Sequence, residues 1–158
     1  MKVNKQSVFV AGAKSDIATS IARIYAKKGF SLILAARNSG NLSINAEDLY
    51  LRGAKSVELV ELDILSLNEI SHVIKNLNTL PDIVVCAIGY LGEQLQTQLS
   101  PTEAQRVVST NFTGPALLLE QLGKLMIERG NGTIVGISSV AGDRGRASNY
   151  WYGSSKAG

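Results

Sequence analysis

The segment SVFVAGAKSDIATSIARIYAKKGFSLILAA, residues 7–36, decides the fold class because it contains a complete strand–helix–strand unit. Ser7 to Ala11 is a short apolar run, typical of a buried strand, and the turn Gly12 to Ser15 follows it. A helix is predicted to begin near Asp16, and the run Ser31 to Ala36 is a second buried strand. Apolar side chains four residues apart predict the buried face of this helix: Ile17, Ile21 and Tyr25.

The same alternation of strands and helices continues along the chain. Further strands are predicted at Ser56–Leu62, Ile83–Ala87 and Thr133–Ile137. Helices are predicted before Gly53, over 67–77, over 101–129 and from about Tyr152. This order indicates an α/β fold of the Rossmann type, a doubly wound parallel sheet with helices on both faces. Ligands of such sheets bind beyond the carboxyl ends of the strands.

Composition excludes several classes of protein. The 158 residues carry a net charge of +3 and are 45% hydrophobic and 18% charged, which favours a single globular domain over 1–158. The basic residues are scattered, so no nucleic-acid partner is expected. The single cysteine, Cys86, excludes an internal disulfide, and no spacing of ligands suggests a metal site. Neither a signal peptide nor a transmembrane segment is evident, so a cytoplasmic location is expected.

The turn after the first strand is a candidate phosphate site. Gly12 opens it, and the N–H groups at the start of the following helix attract anions together with the helix dipole. A dinucleotide fingerprint would place further glycines where Asp16 and Ala18 stand. On spacing alone, a plain strand-to-helix turn remains an alternative.

The last segment carries residues suited to proton transfer. Ser138 and Ser139 end a strand, and Tyr152 and Lys156 project from one face of the last helix because they are four residues apart. A phenol has a pKa near 10, and a neighbouring cation favours its ionised form. Lys156 supplies that charge, and Ser139 supplies a partner for a substrate oxygen. A tyrosine and a lysine four residues apart also occur on many solvated helices.

Together these segments resemble the short-chain dehydrogenase/reductase family over the whole chain. The resemblance is carried by Gly12–Ala18, Asp63-Ile64, Cys86–Gly89, Asn111, Ile137–Gly142 and Tyr152–Lys156. It implies a catalytic tetrad of Asn111, Ser139, Tyr152 and Lys156, with Tyr152 as general acid/base and Ser139 rather than Ser138 as the family serine. It also implies cofactor contacts from Gly12, Lys14, Ser15, Asp16, Ile17, Arg37, Asp63, Ile64, Ala87, Gly89, Tyr152 and Lys156.

The resemblance implies an oxidoreductase that interconverts a ketone and a secondary alcohol. The second strand ends at Ala36 without the carboxylate that would favour NAD, and Arg37 and Lys14 are cations suited to a 2′-phosphate, so NADP(H) is the expected cofactor. Two alternatives remain: a sugar-nucleotide epimerase or dehydratase, and a dinucleotide-binding regulator without turnover. The expected partner is a small carbonyl or alcohol substrate, with keto-sugars among the candidates.

Two stretches depart from the family pattern. Thr-Gly-x-x-x-Gly-x-Gly is replaced by Ala11–Ala18, where Asp16 is expected to cap the helix. Asn-Asn-Ala-Gly is replaced by Cys86–Gly89, which lacks the side-chain amides, and Cys86 is expected to pack in the core. The stretch Gly142–Tyr150 is similar to the decaprenylphosphoryl-2-keto-pentose reductase-like branch, where Arg144 and Arg146 would meet an anionic substrate group.

The chain is also expected to be a fragment. The doubly wound dinucleotide fold has six strands, whereas five are predicted here and the chain stops two residues after Lys156. The family domain is therefore expected to continue beyond Gly158, and the complete protein to form a homo-oligomer.

The long helix over 101–129 carries two local signals. Ser100 and Glu103 predict a capping box at its start, with Pro101 in the first turn. Pro115 lacks the N–H that would bond to the carbonyl of Asn111, so a bulge is expected at Gly114-Pro115. The family resemblance implies that a water bound near this asparagine belongs to a proton relay for Tyr152 and Lys156.

Overall fold

The computed structural model describes residues 6–158, which form a five-stranded parallel sheet with helices on both faces. The strands are β1 Ser7–Ala11, β2 Ser31–Ala36, β3 Ser56–Glu61, β4 Ile83–Cys86 and β5 Thr133–Gly136. Their order across the sheet is β3-β2-β1-β4-β5, so the direction of winding reverses between β1 and β4. This is the α/β doubly wound architecture that the sequence predicts, and the reversal creates a crevice at the carboxyl ends of the strands.

Eight helices connect or follow the strands of the described chain. In chain order they are α1 Asp16–Lys27, α2 Ser43–Leu51, α3 Ile70–Lys75, α4 Gln94–Leu99, α5 Pro101–Val108, α6 Gly114–Arg129, α7 Val140–Asp143 and α8 Tyr150–Ala157. A short 3₁₀ turn, Ser39–Leu42, precedes α2, and a π-helical turn, Ser109–Thr113, joins α5 to α6. The sequence did not predict α4 or α7. No helix within residues 6–158 combines the length and apolar character needed to cross a membrane.

The alternation of side chains along β1 divides the core between the two faces of the sheet. Val8 and Val10 pack on the face covered by α1 and α2, whereas Phe9 and Ala11 pack on the face covered by α3 and α6. All residues of β1 are buried, as expected for a central strand covered on both faces. Cys86 is 4% exposed and belongs to the second of these clusters, which confirms the predicted packing role.

The apolar face predicted for α1 is displaced by one residue. The buried side chains are Ala18, Ala22 and Ala26, whereas Ile17 is 55% exposed. Small alanines let the helix approach the sheet closely, so the larger Ile21 and Tyr25 pack at the edge of the contact. The predicted face was therefore wrong in detail because sequence periodicity gave weight to large side chains.

Helix capping follows the sequence only in part. Ser15, not Asp16, caps α1, because its Oγ accepts a hydrogen bond of 3.1 Å from the Ala18 N–H. At α5 the Ser100 Oγ accepts from the Glu103 N–H at 3.3 Å, as predicted. The Glu103 carboxylate instead accepts a hydrogen bond from the Tyr90 hydroxyl, so the reciprocal half of the predicted capping box does not form.

Candidate cofactor and active site

The crevice at the carboxyl ends of the strands holds a cavity of about 440 Å³. Its walls come from the loops that follow β1, β2, β3 and β4 and from the end of α5, the position where a doubly wound sheet binds ligands. The lining residues are Gly12, Lys14, Ser15, Ala35, Ala36, Arg37, Asn38, Leu62, Asp63, Ile64, Leu65, Ala87, Ile88, Gly89, Tyr90, Arg106 and Thr110.

The floor of the crevice suits a dinucleotide because two backbone segments approach each other there. Gly12 has a φ of +78°, and a Cβ at this position would lie 2.8 Å from the Ala87 carbonyl oxygen. Only glycine satisfies both the left-handed conformation and the close approach. The N–H groups of Asp16 and Ile17 at the start of α1 have no intrahelical carbonyl partner, so they can receive a pyrophosphate, whereas the Ala18 N–H is bonded to Ser15.

Most of the predicted cofactor residues meet in this cavity. Those that line it are Gly12, Lys14, Ser15, Arg37, Asp63, Ile64, Ala87 and Gly89. The other four predicted cofactor residues do not line it: Asp16 and Ile17 lie in the first turn of α1, and Tyr152 and Lys156 lie on α8. The Asp63 carboxylate accepts a 3.0 Å hydrogen bond from the Leu65 N–H and so shapes the loop after β3.

Lys156 joins the crevice to the end of β5. Its ammonium donates hydrogen bonds of 3.0 Å to the carbonyls of Ile88 and Ile137, which follow β4 and β5. Burial lowers the pKa of Lys156 below the usual lysine value, and the nearby Cys86 opposes that shift. The cation is therefore held at the junction of two strands rather than extended into solvent, as a free helical lysine would be.

Asn111 holds the loop after β4 through both ends of its amide. Its Oδ1 accepts from the Tyr90 N–H and its Nδ2 donates to the Tyr90 carbonyl, each at 2.8 Å. A Cβ on Gly89 would lie 3.7 Å from Asn111 Oδ1 and 3.6 Å from Lys156 Nζ. Asn111 and Lys156 therefore approach each other at Gly89, where an added Cβ would be in ordinary van der Waals contact with both side chains.

The two neighbouring serines have different hydrogen bonds. The Ser138 hydroxyl donates to the Lys156 carbonyl at 2.8 Å, which ties the end of β5 to α8. The Ser139 Oγ accepts from the Ala141 N–H at 3.2 Å and caps α7. No bond donated by the Ser139 hydroxyl occurs within residues 6–158, so this proton is available to a substrate oxygen.

Close backbone contact between α7 and α8 places Tyr152. A Cβ on Gly153 would lie 2.6 Å from the Ala141 carbonyl oxygen, and one on Gly142 would lie 2.9 Å from the Lys156 carbonyl oxygen. The two helices therefore touch through glycines on both sides. Since Tyr152 precedes Gly153 and Ser139 caps α7, this contact sets the serine relative to the tyrosine.

The irregularity predicted at Gly114-Pro115 is present as the π-helical turn Ser109–Thr113, which contains Asn111. The Gly114 N–H donates to the Ser109 carbonyl five residues earlier, because the ladder is widened ahead of the proline. A Cβ on Gly114 would lie 2.5 Å from the Ile64 carbonyl oxygen, so the helix also approaches the crevice closely here. The water on the Asn111 carbonyl stays a prediction.

The crevice-wall residues Tyr90 and Arg106 were missed from the sequence, and both contact Glu103. The Arg106 guanidinium lies over the ring of Tyr90, 4.6 Å from its centroid, and 3.5 Å from a Glu103 oxygen. The Glu103 carboxylate also accepts from the Tyr90 hydroxyl at 3.3 Å. The spacing of Glu103 and Arg106 indicates one helical face, but nothing in the sequence places Tyr90 against it.

A sequence model of the family described as short chain dehydrogenase matches residues 6–158. Among curated relatives, an uncharacterized oxidoreductase of Streptomyces coelicolor is 36% identical over 97% of this chain and 62% of its own length. The 3-oxoacyl-acyl-carrier-protein reductase FabG of Rickettsia typhi is 27% identical over 94% of this chain and 60% of its own. The chain thus spans about three fifths of the length of these relatives.

Solved structures agree with the architecture. A variant of actinorhodin polyketide ketoreductase, determined with NADPH, is 30% identical and has a TM-score of 0.84 over 98% of this chain and 60% of its own. A 3-oxoacyl-acyl-carrier-protein reductase from Brucella melitensis has a TM-score of 0.86 at 23% identity, which is a likeness of fold.

Proposed function

Because the chain belongs to the short chain dehydrogenase family, we propose that the protein is an NADP(H)-dependent oxidoreductase that interconverts a ketone and a secondary alcohol. The observation that carries this proposal is the position of the Lys156 ammonium, bound between the carbonyls of Ile88 and Ile137. Ile88 lines the crevice, and Ile137 leads into Ser138 and Ser139. One cation therefore connects a dinucleotide-sized crevice with the residues suited to proton transfer.

In this proposal the chain's own residues handle the proton and the substrate oxygen. The Tyr152 hydroxyl donates its proton to the carbonyl oxygen as that atom gains negative charge, and the Ser139 hydroxyl donates a hydrogen bond to the same oxygen. Lys156 stabilises the phenolate that remains. The nicotinamide ring supplies the hydride in reduction and accepts it in oxidation.

The preference for NADP rests on charge at the end of β2. Arg37 and Lys14 line the crevice, and β2 ends in Ala36 rather than in a carboxylate that would bind ribose hydroxyls. Two cations favour a 2′-phosphate. Arg144 and Arg146, exposed between α7 and α8, are the residues from which contact with an anionic group of the substrate would come.

The catalytic proposal is tested by the change Tyr152→Phe in the natural polypeptide, with NADPH and a panel of ketones. Loss of a general acid lowers kcat by about 10²–10⁴-fold. Tyr150→Phe is the matched control, since Tyr150 lies on the same helix and is 42% exposed. Ketone reduction that survives Tyr152→Phe at full rate would contradict the proposal, and product that retains the keto group would favour the epimerase or dehydratase alternative.

The cofactor proposal is tested by titrating the chain with NADP and NAD. NADP is expected to bind more tightly, and Arg37→Ala to weaken NADP while leaving NAD unchanged. Lys55→Ala, which removes an exposed cation between α2 and β3, is the control. Equal affinities for the two dinucleotides would show that Arg37 and Lys14 do not select the phosphate.

A further inference from the structure

The turn that follows β2 binds a carboxylate of the chain itself, that of Glu61. The two carboxylate oxygens of Glu61 accept hydrogen bonds from successive backbone N–H groups, from Asn38 at 2.7 Å and from Ser39 at 2.8 Å. Asn38 has a φ of +51°, and among non-glycine residues 6–158 it alone has a positive φ. A left-handed residue within a turn directs neighbouring N–H groups toward one point and creates an anion-binding concavity.

Strand register brings Glu61 to this turn. In the parallel pairing of β2 with β3, Glu61 lies opposite Ala36, the last residue of β2. The turn that begins at Arg37 therefore passes directly beside the glutamate. Hydrogen bonds from Ser39 and Asn38 lower the pKa of Glu61 below its usual value, and Lys14 contributes further to that shift.

The position matters because the same turn forms one edge of the cofactor crevice. Arg37, Asn38 and Lys14 all line the cavity, and the proposed contacts with a 2′-phosphate come from Arg37 and Lys14. The carboxylate occupies two N–H groups beside Arg37 that a phosphate would otherwise be free to bind. It also places a negative charge near Lys14, at the turn that begins with Arg37, and this charge reduces the attraction of the crevice edge for a second anion.

We propose that Glu61 is a specificity-determining residue of the cofactor crevice: its carboxylate fills the anion-binding turn and weakens the binding of a 2′-phosphorylated dinucleotide relative to the unphosphorylated one. This inference rests on the proposed function, in that the crevice must bind a nicotinamide dinucleotide. The preference for NADP is then smaller than Arg37 and Lys14 alone would produce. Glu61 does not touch the reacting atoms and acts only on the choice of cofactor.

The experiment measures dissociation constants of NADP and NAD for the purified chain by fluorescence titration, without turnover. Glu61→Gln is expected to tighten NADP about three- to tenfold, the effect of one unit charge on a nearby phosphate, and to change NAD less than twofold. Glu58→Gln is the matched control, because it removes the same charge from the same strand three residues away. Its NADP to NAD ratio should equal that of the original chain.

A second variant separates charge from shape. Glu61→Asp keeps the negative charge on a shorter side chain that binds the two N–H groups less well. Its ratio of NADP to NAD affinity should therefore lie between those of the original chain and of Glu61→Gln. Raising the salt concentration should shrink the difference between Glu61→Gln and the original chain, because screening weakens interactions between exposed charges.

The outcomes distinguish this inference from the function on which it rests. An original chain that prefers NAD would refute the proposed NADP preference, yet Glu61→Gln should still shift the ratio toward NADP. If Glu61→Gln weakens both dinucleotides equally, or if Glu58→Gln shifts the ratio as much, the inference is overturned and Glu61 only supports the turn. A chain that binds neither dinucleotide overturns both proposals.

Discussion

Strands β1 and β5 belong to the same parallel sheet, but every residue of β1 is buried and every residue of β5 is exposed. β1 lies between β2 and β4 and is covered on both faces, whereas β5 pairs with β4 at the edge of the described sheet. The comparison separates the two halves of the site. Within residues 6–158, the candidate crevice rests largely on the buried strands β1, β2 and β4, whereas Ser139, Tyr152 and Lys156 of the proposed catalytic set follow the exposed strand β5.

The two halves are consequently stabilised in different ways. Around β1 the apolar core holds the loops that line the crevice. Beyond β5 the position of the catalytic segment depends on a few polar and backbone contacts: the bonds of Lys156 and Ser138, and the contact of α7 with α8 through glycine. Mutations near β1 should therefore mainly reduce stability, and mutations near α8 should mainly reduce turnover.

Among the tests of this comparison, the largest expected effect is that of Gly153→Ala on turnover in the natural polypeptide. Alanine normally favours a helix over glycine, but here its Cβ would lie 2.6 Å from the Ala141 carbonyl oxygen and force α7 and α8 apart. A displacement of about 1 Å at a catalytic group lowers kcat/KM roughly 10²-fold. Gly145→Ala is the control, because a Cβ there would meet no atom within 4 Å. Equal rates for the two variants would show that the α7–α8 contact does not position Tyr152.

A matched pair of valines tests the contrast in burial directly. Val10→Ala in β1 removes a side chain that is fully buried, and it should lower the free energy of unfolding by about 2–3 kcal/mol. Val135 in β5 is 37% exposed, so Val135→Ala should cost less than about 1 kcal/mol. Urea denaturation of the chain measures both. Equal losses in the free energy of unfolding for the two variants would mean that β5 is buried in solution.

Two glycines at strand ends give a comparable pair. Gly12→Ala places a Cβ in a left-handed conformation and 2.8 Å from the Ala87 carbonyl oxygen, and it should destabilise the chain by about 1–3 kcal/mol. Gly136→Ala at the end of β5 meets no atom within 4 Å and should be neutral or slightly stabilising. The measurement is the thermal midpoint of each variant, and weaker NADP binding should accompany Gly12→Ala alone.

The smallest expected effect concerns acid stability. Hydrogen bonds from Arg52 and Arg23 lower the pKa of Asp48 to about 2. The folded pKa lies below the unfolded value of about 3.9. The ionised carboxylate therefore adds to the free energy of unfolding above about pH 4, and this contribution declines as the pH falls through 2. Asp48→Asn should therefore be less stable than the original at pH 6, and the difference should shrink as the pH falls through 4 and disappear only below pH 2. The effect is small because the group is exposed, and Asp143→Asn in α7 should not reproduce it.

Several features of the fold and of the site follow from local sequence. The five strands form close to their predicted bounds. For β1, β2 and β4 the reason is that short apolar runs are buried on both faces of a parallel sheet. The interruption before Pro115 forms because proline cannot donate to the ladder. The crevice collects Gly12, Lys14, Arg37 and Asp63, since all of them follow strands whose carboxyl ends meet at one edge.

Other features had no local signal. The face of α1 was displaced because buried alanines, rather than the larger isoleucines, set the distance between helix and sheet. The Glu103 carboxylate turns toward Tyr90 and Arg106 instead of completing the capping box, because a tertiary neighbour competes with the local partner. Neither outcome can be read from spacing, which describes one element at a time.

The sequence by itself determined the order of elements, the doubly wound sheet and the candidate residues, because hydrophobic periodicity and turn chemistry act within a few residues. Only the tertiary structure decided which groups meet. The carboxylate of Glu61 reaches the turn after β2 through the register of two strands. Lys156 reaches the carbonyl of Ile88, 68 residues earlier in the chain, through the packing of α8. Such contacts depend on distances between elements, and those distances are set by packing in three dimensions.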